Sequence, residues 1–294
     1  MSPPSWPRLK PPAARYSGLL PQKGWPKRNL SFLRHRIVPG MFRRVHGNVL
    51  EPVLAPPDED KVRITWIGHA SFFLQFAGHS VIVDPNWAKW HGPVKRQRQP
   101  GLHLSGVPEV DLVLVTHAHF DHLHKPSLKI LQAREGIIVP RGSGSLVKRL
   151  GFPATYEMKI WDELRFDQLE IIHTPSHHWG ARFIHDTHRD YGGYIVRAGG
   201  KSVFHCGDSA YFDGFKDIVV GFGSPAGEHV GRMPFTAWQT AFDPLLQPGA
   251  RNYWKSHDFK ALTGDVAFAG GNLIISPTPA MTLIDIDGPP PLPA

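Results

Sequence analysis

One stretch limits the possible folds of this chain more than any other: the apolar run from Val110 to Thr116 and the string from His117 to His122 that follows it. The run is rich in β-branched and aliphatic residues, as is typical of a buried strand. The string reads His-Ala-His-Phe-Asp-His, so three imidazoles and one carboxylate leave a single turn. The sequence therefore predicts a metal site at the end of a central strand.

The order of side chains within the string predicts how they divide between ions. Alternate residues of an extended segment point the same way, so His117 and His119 can reach one ion while Asp121 and His122 turn toward a second. Imidazole and carboxylate ligands together suit zinc first, with iron or manganese as alternatives. The competing interpretation is a histidine-rich surface loop, which ligands from elsewhere in the chain would argue against.

The composition is typical of a globular chain without a membrane span. The 294 residues are 41% hydrophobic and include nine Trp, enough for a substantial core, and the sequence has no apolar run long enough to cross a bilayer. The N-terminus lacks the apolar core of a secretory signal, and the single Cys206 excludes an internal disulfide framework. We expect a soluble, cytoplasmic protein.

Positive charge is concentrated at the start of the chain. Residues 1–56 hold ten Lys or Arg and one acid, Glu51, so their net charge is +9 and that of the remainder is −1. Because residues 1–60 are also rich in Pro and lack a sustained periodicity, we expect an extended basic arm. The arm is either a solvated leader or a contact with an anionic membrane or polyanion. A nucleic-acid partner is disfavoured, because the basic residues lie outside the predicted core.

Strands that end in ligand-type residues recur between residues 61 and 218. A strand ending at Val83 delivers Asp84, and a hairpin whose second strand ends near Cys206 delivers Asp208. Histidines His69 and His178 lie in loops that follow other predicted strands. This pattern places the chemistry of the chain within this segment.

Two further segments carry local predictions. Residues Ser127–Ala133 are expected to form a short helix. Residues Gly142–Ser145 resemble a phosphate-binding loop, but they lack the Lys-Ser/Thr ending of such a loop, and we interpret them as a flexible connection.

These residues together resemble the metallo-β-lactamase superfamily, whose α/β fold is a four-layer αββα sandwich with one or two metal ions at one end of its two sheets. The matching positions are Asp84, the string from His117 to His122, His178 and Asp208. The segments Thr65–Ser71, His178–Arg182 and Gly207–Phe212 are similar, more narrowly, to the branch that contains N-acylphosphatidylethanolamine-hydrolysing phospholipase D and the ascorbate-6-phosphate lactonase-like proteins. The resemblance covers residues 61–218.

The resemblance implies a role for each matching residue. It assigns His117, His119 and His178 to the first ion. It assigns Asp121 and His122 to the second, with Asp208 bridging the two ions. Asp84 would orient a ligand imidazole from behind, as metal-bound histidines generally require. His69 is expected near the mouth of the site, and His69, Asp121 and Asp208 are the candidate catalytic residues.

The last 76 residues, 219–294, do not continue the pattern of the family. They show neither a helical nor a strand period, and the late histidine that completes the second metal site in relatives is not evident. The late histidines are His229 and His257, and neither has a matching context. We interpret residues 219–294 as a divergent or frame-shifted tail that leaves the second ion short of a ligand.

The predicted function is a metal-dependent hydrolase in which a metal-bound hydroxide attacks a phosphodiester such as an N-acyl phospholipid. Peripheral contact of residues 1–56 with an anionic membrane fits a phospholipid substrate. Two alternatives stay open. One is a lactonase or another ester or amide hydrolase that uses the same metals. The other is an inactive, metal-poor binding or scaffold protein.

Overall fold

The computed structural model describes residues 30, 33–45, 54, 62–178, 180–183, 186, 188–209, 214, 218 and 272–275. The first sheet contains β1 Val62–Gly68, β2 Ser71–Phe76, β3 His79–Val83, β6 Val110–Leu114, β7 Ala133–Pro140 and β8 Thr155–Met158. The second contains β9 Glu163–Phe166, β10 Leu169–Thr174, β11 Gly193–Ala198, β12 Lys201–His205 and β13 Asn272–Ile275. A small hairpin is formed by β4 Trp90–His91 and β5 Val94–Lys95.

The described helices are short. They are a π-helical turn at Leu33–Ile37, α1 at Val38–Phe42, a 3-10 turn at Leu104–Gly106, α2 at Lys125–Leu128 and α3 at Gly144–Val147. Over the described residues, the helices are too short and too polar to cross a bilayer.

Strand direction brings several strand ends to one edge of each sheet. In the first sheet, β1 and β3 both pair antiparallel with β2, and β3 pairs parallel with β6, so these three strands end at the same edge. In the second sheet, β10 and β12 both pair antiparallel with β11 and therefore also run in one direction. The residues that follow β1, β3, β6, β10 and β12 are the ones that carry the predicted ligands.

The main core lies between the two sheets. Side chains of the first sheet, such as Phe72 and Leu112, pack in one cluster with side chains of the second, such as Ile171 and Val196. Each is at most 2% exposed, and burial of one such side chain contributes about 2 kcal/mol. The strands are apolar on consecutive positions because the sheets are covered on both faces.

Smaller clusters cover the outer faces of the sheets. On the first sheet, Leu128 of α2 and Val147 of α3 pack against Val113 and Ile137. On the second sheet, Ile195 and its neighbours pack with Ile218. The predicted mixed α/β architecture with two facing sheets is confirmed.

The predicted helix over Ser127–Ala133 is wrong in its bounds. The helix α2 begins earlier, because the His124 side chain caps it and Pro126 occupies its first turn, and it ends at Leu128. Ala133 instead begins β7, where it pairs with Val110 of β6. Leu128, Leu131 and Ala133 are buried in one cluster, although only Leu128 lies in the helix.

Two backbone amides of the segment Gly142–Ser145, those of Ser143 and Gly144, already donate within the protein. Gly144 begins α3, and its backbone N–H donates to the Glu157 carboxylate at 2.5 Å. This carboxylate occupies a donor that a bound phosphate would need, in agreement with the rejection of that interpretation.

The two terminal segments both contain structure that the sequence did not predict. Part of the basic arm forms the turn at Leu33–Ile37 and α1, and Lys95 Nζ donates to Met41 O at 3.3 Å and to Arg43 O at 2.8 Å. The tail contributes β13, which pairs parallel with β12, a strand that no sequence period had indicated. The rest of the domain division stays a prediction.

Candidate metal centre

The predicted ligands come together at the edge where the strands of both sheets end. The string from His117 to His122 follows β6, His69 lies in the turn after β1, and Asp84 follows β3. His178 and Asp208 follow β10 and β12 of the second sheet. Ligand atoms of these residues, apart from Asp84, form two groups that could each hold an ion.

The first group is formed by His117, His119, His178 and Asp208, with one ligand atom from each within 4.8 Å of all the others. His119 Nδ1 lies 2.9 Å from His117 Nε2 and 3.3 Å from His178 Nε2. Nitrogen lone pairs brought this close repel one another unless a proton or a cation lies between them. The group therefore has the donor atoms and the spacing of a metal site.

The second group is formed by His69, Asp121 and His122. His69 Nε2 lies 3.0 Å from Asp121 Oδ2, and the rings of His69 and His122 are 5.1 Å apart. His69 had been expected only near the mouth of the site. Its position gives the second group a third ligand atom from the first sheet, a feature that no local sequence pattern predicted.

Asp208 lies between the two groups. Its Oδ2 is 3.3 Å from His122 Nε2 of the second group and 3.8 Å from His178 Nε2 of the first. The contact with His122 lacks hydrogen-bond geometry, so His122 Nε2 is a buried ring nitrogen without a hydrogen-bond partner among the described residues. This placement agrees with the predicted bridging role, which stays a prediction.

Asp84 supports ligands in both groups. Its carboxylate is fully buried, accepts from the backbone N–H of Thr116 at 2.7 Å, and lies 2.7 Å from His122 Nδ1. The Thr116 hydroxyl donates to Asp84 Oδ2 at 2.6 Å and lies 2.9 Å from His117 Nδ1. If Nδ1 carries the proton in both rings, their Nε2 atoms are left to bind an ion.

Backbone conformation contributes to the placement of two of these residues. His69 has φ +52° and Asp84 has φ +47°, both in the left-handed region. Asp and His are among the residue types that tolerate this region best, although it costs on the order of 1 kcal/mol for a side chain with a Cβ. Both residues therefore turn the chain sharply at a strand end.

Asn86 is a supporting residue that the sequence analysis missed. It is 1% exposed, and its Nδ2 donates to the backbone carbonyl of Asp121 at 2.7 Å. Its Oδ1 accepts from the backbone N–H of Ala88 at 2.9 Å, which fixes the amide orientation. The only available sequence signal was its position two residues after Asp84.

The histidines of the first group are held neutral. Burial lowers the pKa of His117 well below its ordinary value, and burial lowers the pKa of His178 to about 4. Burial also lowers the pKa of His119, with a further lowering by the charges of His122 and Arg182. Neutral imidazole is the form that binds a metal ion, so this group is ready to bind near neutral pH.

Charge is distributed differently around the second group. Burial lowers the pKa of His122, but Asp84 and Asp208 outweigh it and hold this pKa well above its ordinary value. Burial raises the pKa of Asp121, but His69 and His122 outweigh it and hold it far below its ordinary value. The pKa of Asp208 is lowered to about 2, because the charge of His122 outweighs burial. The carboxylates of Asp84 and Asp208 therefore favour the protonated form of His122.

The donor set fits a first-row metal ion. The two groups offer imidazole nitrogens and ionised carboxylates, which suit zinc, iron or manganese. The roles of the individual ligands and the identity of the metal stay predictions. His229 and His257, named as possible last ligands, lie outside the described residues, as does most of the predicted tail.

Comparison with known proteins identifies relatives of this chain. Residues 79–224 match the model of the beta-lactamase superfamily domain. An uncharacterized protein of Mycobacterium tuberculosis is 25% identical over 197 residues, which cover 64% of this chain and 52% of that protein. The chain thus spans about half the length of the first curated relatives that it matches.

Two further relatives carry functional names. The mitochondrial N-acyl-phosphatidylethanolamine-hydrolyzing phospholipase D of Saccharomyces cerevisiae is 31% identical, over 53% of this chain and 35% of that protein. A UPF0173 metal-dependent hydrolase of Thermodesulfovibrio yellowstonii is 27% identical, over 52% of this chain and 61% of that protein. Residues 79–224 thus match the beta-lactamase superfamily domain in sequence, and the two facing sheets with two ligand groups at their common edge agree with the resemblance seen in the sequence.

Proposed function

We propose that this protein is a metal-dependent hydrolase with one or two ions in the ligand groups. The observation that carries the proposal is the convergence of seven potential ligands in two groups, with Asp208 between them. Ions held there would lower the pKa of a bound water and offset negative charge that develops on the substrate. Zinc is the proposed metal, with iron or manganese as the alternatives.

Three residues near the proposed ions have roles in the proposed reaction. Asp121 and Asp208 are ionised near neutral pH, so either carboxylate can accept a hydrogen bond from an attacking water and orient it. His69 is about one-third exposed and lies 3.0 Å from Asp121, where it can pass a proton between this carboxylate and the solvent. His69, Asp121 and Asp208 are therefore the proposed catalytic residues.

The proposed substrate is a phosphodiester of the N-acyl phospholipid type. Support comes from the similarity to the yeast N-acyl-phosphatidylethanolamine-hydrolyzing phospholipase D and from the motif resemblance along residues 61–218. Purified full-length protein, loaded with zinc, would be assayed with N-acyl-phosphatidylethanolamine in mixed micelles, with a soluble phosphodiester and with a lactone. Release of phosphatidic acid supports the proposal. Hydrolysis of the lactone alone would replace it with the lactonase alternative.

Metal content tests the more general proposal that this protein is a metal-dependent hydrolase. Mass spectrometry of the full-length protein, purified without added metal and then dialysed against zinc, is expected to give one or two ions per chain. A protein that retains no ion under these conditions would contradict the metallohydrolase and support the inactive scaffold. The metal content of the His119→Ala variant serves as the reference for a protein whose first group lacks a ligand.

We also propose that the basic arm contacts an anionic membrane. Within its described part, Phe42 is 83% exposed and Val38 is 44% exposed, and Trp90 of the adjoining hairpin is 44% exposed. Arg43 and Arg44 are exposed beside Phe42. Exposed apolar side chains flanked by cations are typical of a surface that lies on a bilayer.

Sedimentation with vesicles tests this contact. The full-length protein is expected to bind phosphatidylglycerol vesicles and not phosphatidylcholine vesicles, and Phe42→Ser should weaken the binding. Equal binding to both kinds of vesicle, or none, would contradict it. A cytoplasmic location stays a prediction that fractionation of cells would test.

A further inference from the structure

We propose that Arg182 is a positioning residue that ties the loop of His178 to the loop that carries the string from His117 to His122. This inference rests on the proposed function, because it concerns ions in the two ligand groups. The two loops leave different sheets, β10 of the second sheet and β6 of the first. They contribute His178 and His119 to the same group, so their separation decides whether that group forms.

Hydrogen bonds from one guanidinium nitrogen span the ligand loop. Arg182 Nη1 donates to Ala118 O at 2.8 Å and to Leu123 O at 3.0 Å. These two carbonyls lie on either side of the segment that contains His119, Asp121 and His122. Because Arg182 itself follows His178 by four residues, both bonds cross between the two ligand-bearing loops.

A third contact holds the middle of the same loop. The Arg182 guanidinium carbon lies 4.0 Å from the centre of the Phe120 ring, a cation–π contact. Phe120 stands between His119 and Asp121, one ligand from each group. Its ring also meets Phe183 edge to face at 5.5 Å, so the residue after Arg182 contacts the loop as well.

The surroundings of Arg182 are unusual for a cation that acts only as surface charge. Its side chain lies partly buried, and within the described residues no carboxylate lies within 4.0 Å of it, whereas Arg141 and Arg189 each pair with an aspartate. Its contacts are backbone carbonyls and an aromatic face. Partial burial of a cation without a carboxylate partner costs free energy. Here the contacts with carbonyls and the aromatic face offset this cost, and they hold the ligand loop in one conformation.

Two substitutions separate the contacts of Arg182. Arg182→Met keeps a long unbranched side chain and removes the donors and the charge. Arg182→Lys keeps a charged donor that can reach a carbonyl but cannot stack as a plane on Phe120. Arg149→Met is the control, because Arg149 is exposed just after α3 and its loss changes the net charge by the same amount.

The measurement is zinc affinity of the full-length, metal-free protein by competition with a chromophoric chelator, with thermal unfolding of the same metal-free samples. For Arg182→Met we expect affinity for the first ion to fall about tenfold or more, with a smaller loss for Arg182→Lys and none for Arg149→Met. The melting temperature of the metal-free protein should change little, since the contacts of Arg182 hold the ligand loop and not the core between the sheets.

The outcomes distinguish this inference from the proposed function. If the wild-type protein binds no zinc, the proposed function fails. If the wild-type protein binds zinc and Arg182→Met binds it equally well, the inference alone is overturned. A lower melting temperature of metal-free Arg182→Met with unchanged zinc affinity would also overturn it, because Arg182 would then support the fold and not the ligand loop.

Discussion

The two ligand groups lie side by side but are held in different ways. The second group, His69, Asp121 and His122, comes entirely from loops of the first sheet. The first group joins His117 and His119 of that sheet with His178 and Asp208 of the second. The second group is therefore built into one sheet, whereas the first exists only while the two sheets keep their relative position. Metal affinity of the first group should respond to changes in either sheet.

Asp84 is fully buried and supports ligands of both groups, so its loss should have the largest effect. Asp84→Asn suits the left-handed backbone and removes the charge and one of the two acceptor oxygens next to His122 and Thr116. We expect the free energy of unfolding to fall by about 3 kcal/mol and zinc affinity to fall about 10- to 100-fold in both groups. Chemical denaturation and chelator competition measure the two quantities.

The control for Asp84 is another buried aspartate of the first sheet. Asp111 is 5% exposed, accepts from Ser80 N at 2.7 Å, and lies at the start of β6, away from the ligands. Asp111→Asn should lower the stability but leave zinc binding intact. If both variants bind zinc as the wild type does, Asp84 does not orient the ligand imidazoles.

Lowering the pH should destabilise the protein through His173 of the second sheet. His173 in β10 is fully buried and stacks on Tyr194, and burial lowers its pKa to about 4 from 6.5. The unfolded chain takes up the proton first as the pH falls, so stability is lost between about pH 6.5 and 4 and is constant below. One such histidine accounts for about 3 kcal/mol.

Replacement of His173 by Phe keeps an aromatic ring against Tyr194 and removes the titration. Denaturation of the variant at a series of pH values should show a loss between pH 6.5 and 4 that is smaller than that of the wild type by about 3 kcal/mol. The other buried histidines still titrate in the variant, so some loss remains. Parallel curves for the two proteins would show that the environment of His173 does not disfavour its charge.

The sequence predicted the ligand residues of the site better than the residues that position them. His117, Asp84 and Asp208 could be recognised because each ligand-type side chain directly follows an apolar strand, and strand ends meet at sheet edges. The roles of Asn86 and Arg182 could not be recognised, since each acts on a loop distant in sequence through contacts with its carbonyls or a ring. Such contacts depend on how two loops meet, and no local periodicity reports this.

The fold was predictable to a similar extent. The inter-sheet core follows from apolar strands such as β6, whereas the end of α2 and the start of β7 depend on the pairing of Ala133 with Val110. The strand β13 has only four residues, too few for a period, and is defined by its parallel pairing with β12.

Thr116 should affect the first group more than the second. Its hydroxyl lies 2.9 Å from His117 Nδ1 but 3.4 Å from His122 Nδ1, and His122 also reaches Asp84 directly at 2.7 Å. Thr116→Val removes the hydroxyl at nearly constant volume, and we expect zinc affinity of the first group to fall about tenfold, with a smaller loss in the second group. Thr116→Ser, which keeps the hydroxyl, should bind as the wild type does. Calorimetric titration of the metal-free proteins resolves the two binding events, and equal weakening of both would contradict separate support.

Asn86 should give the smallest effect, and it should fall on the second group alone. Asn86→Ala removes the hydrogen bond to Asp121 O, and a single neutral bond contributes about 1 kcal/mol, so zinc affinity of that group should fall about fivefold. Gln75→Ala is the matched control, because this buried amide likewise donates to a backbone carbonyl, Leu54 O at 2.8 Å, away from the ligands. The same titration is expected to show no change for Gln75→Ala. If Asn86→Ala weakened the first group as strongly as the second, the two groups would be one mechanical unit, and their separate support by Asn86 and by Thr116 would be refuted.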